Sequence, residues 1–185
     1  MKKLLLFVLS SVALLAVAAQ YVPERGDYTF RTETVVKCDD DEPDYCVADS
    51  IIIWLTDAHQ HTTVMKTWAW SLDTAYWHGI GEVVEQDINF DGYLDLMVCN
   101  GPVNVFGNHT YSAWLWNQPT HSFVLVPKFD EICAPYFVKT EDGRRQVVGT
   151  FRLDNDVEIT TYEWHGDILE RVAYETCKYD EMMEP

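Results

Sequence analysis

Residues 82–99 read EVVEQDINFDGYLDLMVC. This stretch carries four oxygen-bearing side chains around one glycine: Asp87, Asn89, Asp91 and Asp95. They match the side-chain ligands at positions 1, 3, 5 and 9 of a calcium loop, which offers a hard cation about six to eight oxygen atoms. Gly92 falls at position 6, where the chain turns so sharply that a Cβ would obstruct it, and the Tyr93 carbonyl matches the ligand at position 7. The stretch therefore predicts a Ca²⁺ site.

The segments on either side of this loop read as β-strands. In an EF-hand, helices flank the loop and a bidentate Glu occupies position 12, but position 12 here is Val98. The apolar residues at 83–84, 94 and 96–99 favour extended structure instead of helix. We therefore expect a calcium loop held at both ends by strands. The alternative is an acidic hairpin turn, rich in Asp and Asn, that binds no ion.

Short runs of β-branched and aromatic residues continue along the rest of the chain. They occupy residues 28–36, 51–55, 63–70, 81–85, 93–99, 111–116, 122–126, 146–152, 158–164 and 168–175. Turn signals separate them, among them residues 117–120, 141–143 and 165–167. Residues 128–132 form one helical turn or a short connecting loop. Many short strands at close spacing predict an all-β fold, an antiparallel β-sandwich that is barrel-like or propeller-blade-like.

The N-terminus has the composition of a secretory signal peptide. Lys2 and Lys3 precede an apolar run at residues 4–17, and Ala18 and Ala19 supply the small residues of a cleavage site. Residues 1–19 are thus predicted to be removed on export, which leaves residues 20–185 as a single β domain of about 166 residues. No later stretch is apolar for long enough to span a membrane. We expect a periplasmic or secreted protein.

The charge of the chain limits its partners. Removing Lys2 and Lys3 takes the formal net charge from −17 to −19. A field of this strength repels nucleic acid and attracts Ca²⁺ and basic proteins. The composition therefore excludes a nucleic-acid-binding role and favours a basic protein partner.

All five cysteines lie after the predicted signal peptide, and export permits two disulfides with one thiol left over. Cys38 and Cys46 enclose a polar, turn-like loop that a local bridge would close, so this is the first predicted pair. Cys133 with Cys177 is the second. No Cys-x-x-Cys spacing or matching His pair indicates zinc.

Three segments together resemble a known group of exported bacterial proteins. They are the acidic loop at 87–95, the segment GNHTYSAWLWN at 107–117 followed by Phe123, and YEWHGDIL at 162–169. This pattern resembles calcium-loop domains related to periplasmic inhibitors of i-type lysozyme and to immunity proteins that neutralise lysozyme-like effectors. The acidic loop is also similar to the calcium loops of integrin-like propeller blades. The resemblance covers roughly residues 83–172.

The resemblance implies a β-sandwich that binds Ca²⁺ and inserts a neighbouring loop into the cleft of a peptidoglycan hydrolase. The loop in that place is residues 100–109, anchored beside the metal. Its candidate partner-binding residues are Asn100, Gly101, Val103, Phe106, Asn108, His109 and Tyr111. The implied activity is inhibition of a basic, lysozyme-like enzyme, and the implied cofactor is Ca²⁺.

Other functions have weaker signals in this sequence. Trp68, Trp70, Trp77, Trp114, Trp116 and Trp164 fit a β-sheet core, but exposed tryptophans could instead stack on sugars, which would make the chain a glycan- or envelope-binding module. Thirty acidic residues could hide a glycosidase pair, but nothing marks two of them, so no catalytic residue is assigned and no enzyme is expected. The triplet Asn108-His109-Thr110 matches an N-glycosylation acceptor.

Overall fold

The structure is a computed structural model that describes residues 23–25, 27–39, 46–69 and 79–180. The predicted signal peptide at 1–19, like Trp70 and Trp77, lies outside these ranges. Eleven β-strands occur in the described part: β1 (Thr29–Cys38), β2 (Cys46–Thr56), β3 (Thr62–Trp68), β4 (Val83–Gln86), β5 (Asp95–Pro102), β6 (His109–Asn117), β7 (Ser122–Leu125), β8 (Tyr136–Lys139), β9 (Arg145–Leu153), β10 (Asp156–His165) and β11 (Ile168–Lys178). Phe129–Glu131 forms a single 3₁₀ turn.

The strands form three antiparallel sheets. Sheet I has the order β1-β2-β3, sheet II β4-β5-β6-β7, and sheet III β8-β9-β10-β11. Spatial order follows chain order in each sheet, because each strand pairs with the next strand along the chain. The predicted all-β fold with antiparallel strands is confirmed. The arrangement is three sheets, and they do not close into a barrel in the described part of the chain.

Sheet II lies between the other two sheets, and side-chain alternation along its strands explains how. Met97 and Leu115 pack against Val147 and Trp164 of sheet III. The adjacent residues on β5 and β6, Val98 and Trp114, point to the opposite face and pack against Ile51 and Ile53 of sheet I. Every residue of β5 is consequently buried. Burying such a side chain fully contributes about 1.5–3 kcal/mol, so this central strand is the main support for the loops at its two ends.

One strand of the fold is missing from the sequence prediction. The strand β8 was not predicted, because it has only four residues and directly follows Pro135. The segment at 128–132 contains the expected helical turn, and Phe129 within it is fully buried. The predicted turns at 117–120, 141–143 and 165–167 all connect neighbouring strands.

The first predicted disulfide is confirmed, and the second is wrong. Cys38 and Cys46 are bonded at directly opposed positions of β1 and β2. Cys133 and Cys177 carry free thiols. Cys177 is paired with Val157, and its side chain lies on one face of sheet III. Cys133 packs against the other face of that sheet, where its backbone lies directly over Gly149. The two Cβ vectors therefore point into different spaces and cannot be bridged.

In the described residues, no helix is both long enough and apolar enough to cross a bilayer.

Candidate functional site

The acidic loop between β4 and β5 is a tight turn organised by its own side chains. The Asp87 carboxylate accepts hydrogen bonds from the backbone N–H groups of Asp91, at 3.1 Å, and Gly92, at 3.0 Å. The Asn89 amide oxygen accepts from the same Asp91 N–H, at 3.1 Å. Gly92 has a φ of 94°, in the left-handed region, as predicted for the sharp turn. The loop conformation is therefore specified by the acidic residues themselves.

Asp95 connects this loop to the core. Its side chain is fully buried and accepts N–H groups from Ile88, at 3.0 Å, and from Trp116 on β6, at 2.8 Å. Burial, with a smaller contribution from the nearby carboxylates of Asp91 and Asp87, raises the pKa of the Asp95 carboxyl to about 7, against the opposing effect of the two N–H groups. Asp95 is thus a buried acid whose negative charge has insufficient compensation from the protein.

The donor chemistry of the loop fits a hard cation. All of its side-chain donors are oxygens, and a divalent ion would compensate the charge of buried Asp95. Each carboxylate keeps lone pairs after accepting its backbone hydrogen bonds. In the described residues, however, no three Asp, Glu, His or Cys side chains converge closely enough to hold a metal ion. Asn89 and the Tyr93 carbonyl are oxygen donors outside that set, and Ca²⁺ binding here stays a prediction.

The predicted partner-binding loop is shorter than expected. Asn100 and Gly101 were placed in it, but both are buried in β5, which runs on to Pro102. The Asn-Gly-Pro sequence favours a turn, and the ladder is indeed irregular there, with a register shift between Cys99 and Gly101. The connection itself consists of residues 103–108. We call this segment the tip loop.

The apex of the tip loop is exposed and apolar. Val105 is 69% exposed and Phe106 is 43% exposed. The base of the loop is fixed: the Asn104 side chain accepts the Phe106 N–H at 3.1 Å, and the Val103 N–H donates to the Asn108 carbonyl at 2.7 Å. Two apolar side chains are therefore held out in solvent by an ordered base.

A residue that sequence reasoning missed holds this base against sheet III. The Arg152 carbonyl accepts from the side-chain amides of Asn104, at 2.8 Å, and Asn108, at 2.9 Å. The Arg152 guanidinium lies 5.1 Å from the centre of the Phe106 ring and 3.6 Å from that of Tyr179. No local pattern could have revealed this contact, because more than forty residues separate Asn108 from Arg152 in the sequence.

The remaining predicted loop residues have structural contacts. Asn108 is only 6% exposed, and its side chain bonds to the backbone of Arg152, so the glycosylation triplet does not present a free amide. His109 begins β6, and its Nδ1 donates to the Gly107 carbonyl at 2.7 Å. Tyr111 is half-buried against the core between sheets II and III. Of the predicted set, Phe106 and the half-buried Val103 remain at the accessible end of the loop.

The tip loop and the acidic loop are at opposite ends of β5. One follows Pro102 and the other leads into Asp95, so a strand of eight residues separates them. At about 3.4 Å per residue, this corresponds to roughly 25 Å. The expectation that the partner-binding loop is anchored beside the metal is therefore wrong: an ion at the acidic loop cannot contact the tip loop.

Tryptophan exposure does not favour a stacking platform at three of the predicted positions. Trp114, Trp116 and Trp164 are each at most 5% exposed and belong to the core. Trp68 is half-buried, and its indole N–H donates to the Asp130 carboxylate.

The chain is similar in structure to a Xanthomonas protein described as related to a type IV secretion system. The TM-score is 0.55, the sequence identity is 17%, and the match covers 86% of this chain and 82% of that protein. At this identity, the likeness shows the fold alone. No protein-family model matches the sequence, and no curated protein matches it.

Proposed function

We propose that this protein is an exported, Ca²⁺-binding interaction domain that inhibits a cationic, lysozyme-like peptidoglycan hydrolase. The observation that carries the proposal is the tip loop, in which exposed Val105 and Phe106 project from a base bonded to Arg152. An enzyme that cleaves a polysaccharide has an open cleft, and a narrow apolar projection can fill one. The inhibitor acts by occupying that cleft and has no catalytic residues of its own.

The fixed base of the tip loop favours tight binding. A flexible loop loses conformational entropy when it docks, at a cost of about 0.5–1.5 kcal/mol for each side chain that becomes immobilised. Here Asn104 and Asn108 bind the same carbonyl of sheet III, and Arg152 lies against Phe106. Much of this ordering is thus complete before the partner arrives.

The charge of the chain supports a basic partner. With a formal net charge of −17, the protein attracts a cationic enzyme over a distance of about one Debye length, roughly 8–10 Å in physiological salt. Complementary charge mainly increases the association rate and discriminates against acidic proteins. Apolar contacts of the tip loop then provide the short-range affinity.

Three observations support export. The N-terminal sequence has the composition of a signal peptide, Cys38 and Cys46 form a disulfide, and the structurally similar Xanthomonas protein is described as related to a secretion system. A chain that works outside the cytoplasm can meet a peptidoglycan hydrolase. It also meets Ca²⁺ at concentrations that a loop of moderate affinity can use.

The Ca²⁺ in this proposal stabilises the fold and does not shape the binding surface directly. The acidic loop is about a strand length from the tip loop, but Asp95 is bonded to both Ile88 and Trp116 in the core. An ion there would hold the first residue of β5, the strand that supports the tip loop at its other end. Loss of the ion should lower stability first, and weaken inhibition only as the fold is lost.

A lysis assay tests the proposal. Clearing of a peptidoglycan suspension is followed with c-type, g-type and i-type lysozymes and bacterial lysozyme-like effectors, each with increasing amounts of the mature protein. The expected result is loss of lysis by at least one cationic enzyme near equimolar protein, with no effect on an acidic peptidoglycan amidase. Undiminished lysis by every enzyme at large excess would reject inhibition as the function.

A further inference from the structure

A recessed surface lies next to the tip loop, between sheets II and III. It is a pocket of about 350 Å³. Gly149 and Phe151 of β9 and Glu158 and Tyr162 of β10 form its floor, and residues 130–133 form one wall. Val103, the first residue of the tip loop, is part of its rim. We call this cavity the acidic pocket.

The acidic pocket has three carboxylates and too little positive charge to match them. Asp130, Glu131 and Glu158 all line it, and none of them forms an ion pair with a Lys, Arg or His of the described residues. Asp130 accepts the Trp68 indole N–H, which is a neutral partner. Arg171, paired with Tyr162 across β10 and β11, is the cation that faces this region from sheet III, and it is exposed. The local charge is therefore negative.

A buried polar atom in the wall also lacks a partner. Thr110 is 2% exposed, lines the pocket, and its hydroxyl forms no hydrogen bond in the described structure. Leaving a buried hydroxyl unsatisfied is costly, by about 1–3 kcal/mol. The Thr110 hydroxyl is free to accept a hydrogen bond from a donor that enters the pocket.

The floor includes two aromatic side chains. Phe151 and Tyr162 lie on the same face of adjacent strands, on either side of the position occupied by Gly149 and Thr160. Because Gly149 has no side chain, Ile132 and the Cys133 backbone pack directly against it between the two aromatic residues. Aromatic faces with nearby carboxylates are the surroundings in which a guanidinium group is bound, through stacking and forked hydrogen bonds.

We propose that the acidic pocket receives an arginine side chain of the protein partner, beside the site where the tip loop docks. This inference rests on the proposed binding of a cationic protein and adds a second anchor to that interface. The guanidinium would donate to Glu158 and Glu131, place its planar face against Tyr162 or Phe151, and satisfy the Thr110 hydroxyl. Because Val103 belongs to both the pocket rim and the tip loop, one partner surface can reach the two sites together.

The test uses a small probe and no hydrolase, so its outcome is independent of the lysis assay. The mature protein is titrated with Nα-acetyl-arginine methylamide and followed by NMR at the amides of Gly149, Thr150 and Phe151. The neutral isostere Nα-acetyl-citrulline methylamide serves as the matched ligand, and Nα-acetyl-lysine methylamide tests the alternative cation. We expect saturable shifts with the arginine probe. The citrulline probe should bind about tenfold more weakly than the arginine probe, a difference of about 1.4 kcal/mol. The lysine probe should also bind more weakly than the arginine probe.

Two variants complete the test. Glu158→Gln should weaken the arginine probe about tenfold, because it removes a charge-assisted hydrogen bond. Glu175→Gln removes the same charge from the opposite face of the same sheet, and should leave the probe unaffected. Equal affinity for arginine and citrulline probes, tighter binding of lysine, or no saturable shift at the solubility limit would overturn the proposal. Equal weakening by the two variants would also overturn it, since that would indicate a general charge effect.

Discussion

Asn108 and Arg152 form a reciprocal pair of hydrogen bonds between a loop of sheet II and a strand of sheet III. The Asn108 side-chain amide donates to the Arg152 carbonyl at 2.9 Å, and the Arg152 N–H donates to the Asn108 side-chain oxygen at 3.2 Å. The Asn108 side chain thereby makes the two hydrogen bonds that the backbone of a neighbouring strand would otherwise make to Arg152, near the end of β9. The tip loop is consequently attached to a sheet other than the one whose strands it connects.

Asn108→Ala should free the tip loop from sheet III. The substitution leaves a backbone N–H unpaired and removes one of the two amides bound to the Arg152 carbonyl, so we expect a loss of about 1–3 kcal/mol in the free energy of unfolding. Amide hydrogen exchange at residues 103–107 should become faster. The control Asn108→Asp keeps an acceptor for the Arg152 N–H and should have a smaller effect. Unchanged exchange in the alanine variant would show that this pair does not order the loop.

Ca²⁺ should raise the thermal midpoint of the wild type above its value in chelator. A ligand at a hundred times its Kd stabilises the folded state by about 2.7 kcal/mol. Asp91→Ala should abolish this increase, and its midpoint should stay near that of the wild type in chelator. Asp167→Ala, in the turn between β10 and β11, is the matched acidic control and should keep the full increase. Equal wild-type midpoints with and without Ca²⁺ would reject the site.

Asp95→Leu should destabilise the protein even in chelator. The buried N–H groups of Ile88 and Trp116 would lose their acceptor, at a cost of roughly 2–6 kcal/mol for the pair. Asp95→Asn keeps one acceptor oxygen and should cost less. Urea unfolding in chelator separates this structural role from any role in metal binding. If Asp95→Leu were as stable as the wild type under these conditions, the hydrogen bonds to Ile88 and Trp116 would be unimportant.

The cysteine assignment predicts how many thiols react in unfolded, non-reduced protein. Cys99, Cys133 and Cys177 should each be alkylated, because the structure leaves them free. Mass spectrometry counts the alkylated positions. Alkylation of a single cysteine would mean that a second disulfide exists, and that the predicted Cys133–Cys177 pair must be reconsidered.

The Cys38–Cys46 bridge encloses a short loop. Its loss in the variant Cys38→Ser/Cys46→Ser should lower the free energy of unfolding by roughly 2–3 kcal/mol.

Local patterns in the sequence were sufficient for most of the fold. Alternating and β-branched residues predicted ten of the strands, and turn residues such as Gly143 and Gly166 marked where they reverse. The four-residue β8 was missed because so short a run has little periodicity of its own. Its position depends on pairing with β9, which is a tertiary contact.

The candidate site was less predictable because it depends on which sheets meet. The composition of the acidic loop could be read locally, since all its donors lie within nine residues of one another. Asn100 and Gly101 looked like loop residues, but the two neighbouring sheets bury them. Arg152 and Glu158 come from sheet III, and nothing near them in the sequence indicates that they lie beside the tip loop.

The proposed inhibition depends on entry of the apolar apex of the tip loop into the hydrolase. The most direct measurement is the inhibition constant, against an inhibited hydrolase, of the double variant Val105→Ser/Phe106→Ser. Its control is Val64→Ser/Ile168→Ser, which removes two exposed apolar side chains, 60% and 63% exposed, from other surfaces. We expect the tip variant to keep its fold but to inhibit at least about a hundredfold more weakly, a loss of about 2.8 kcal/mol, while the control inhibits like the wild type. Full inhibition by a folded tip variant would contradict this role of Val105 and Phe106.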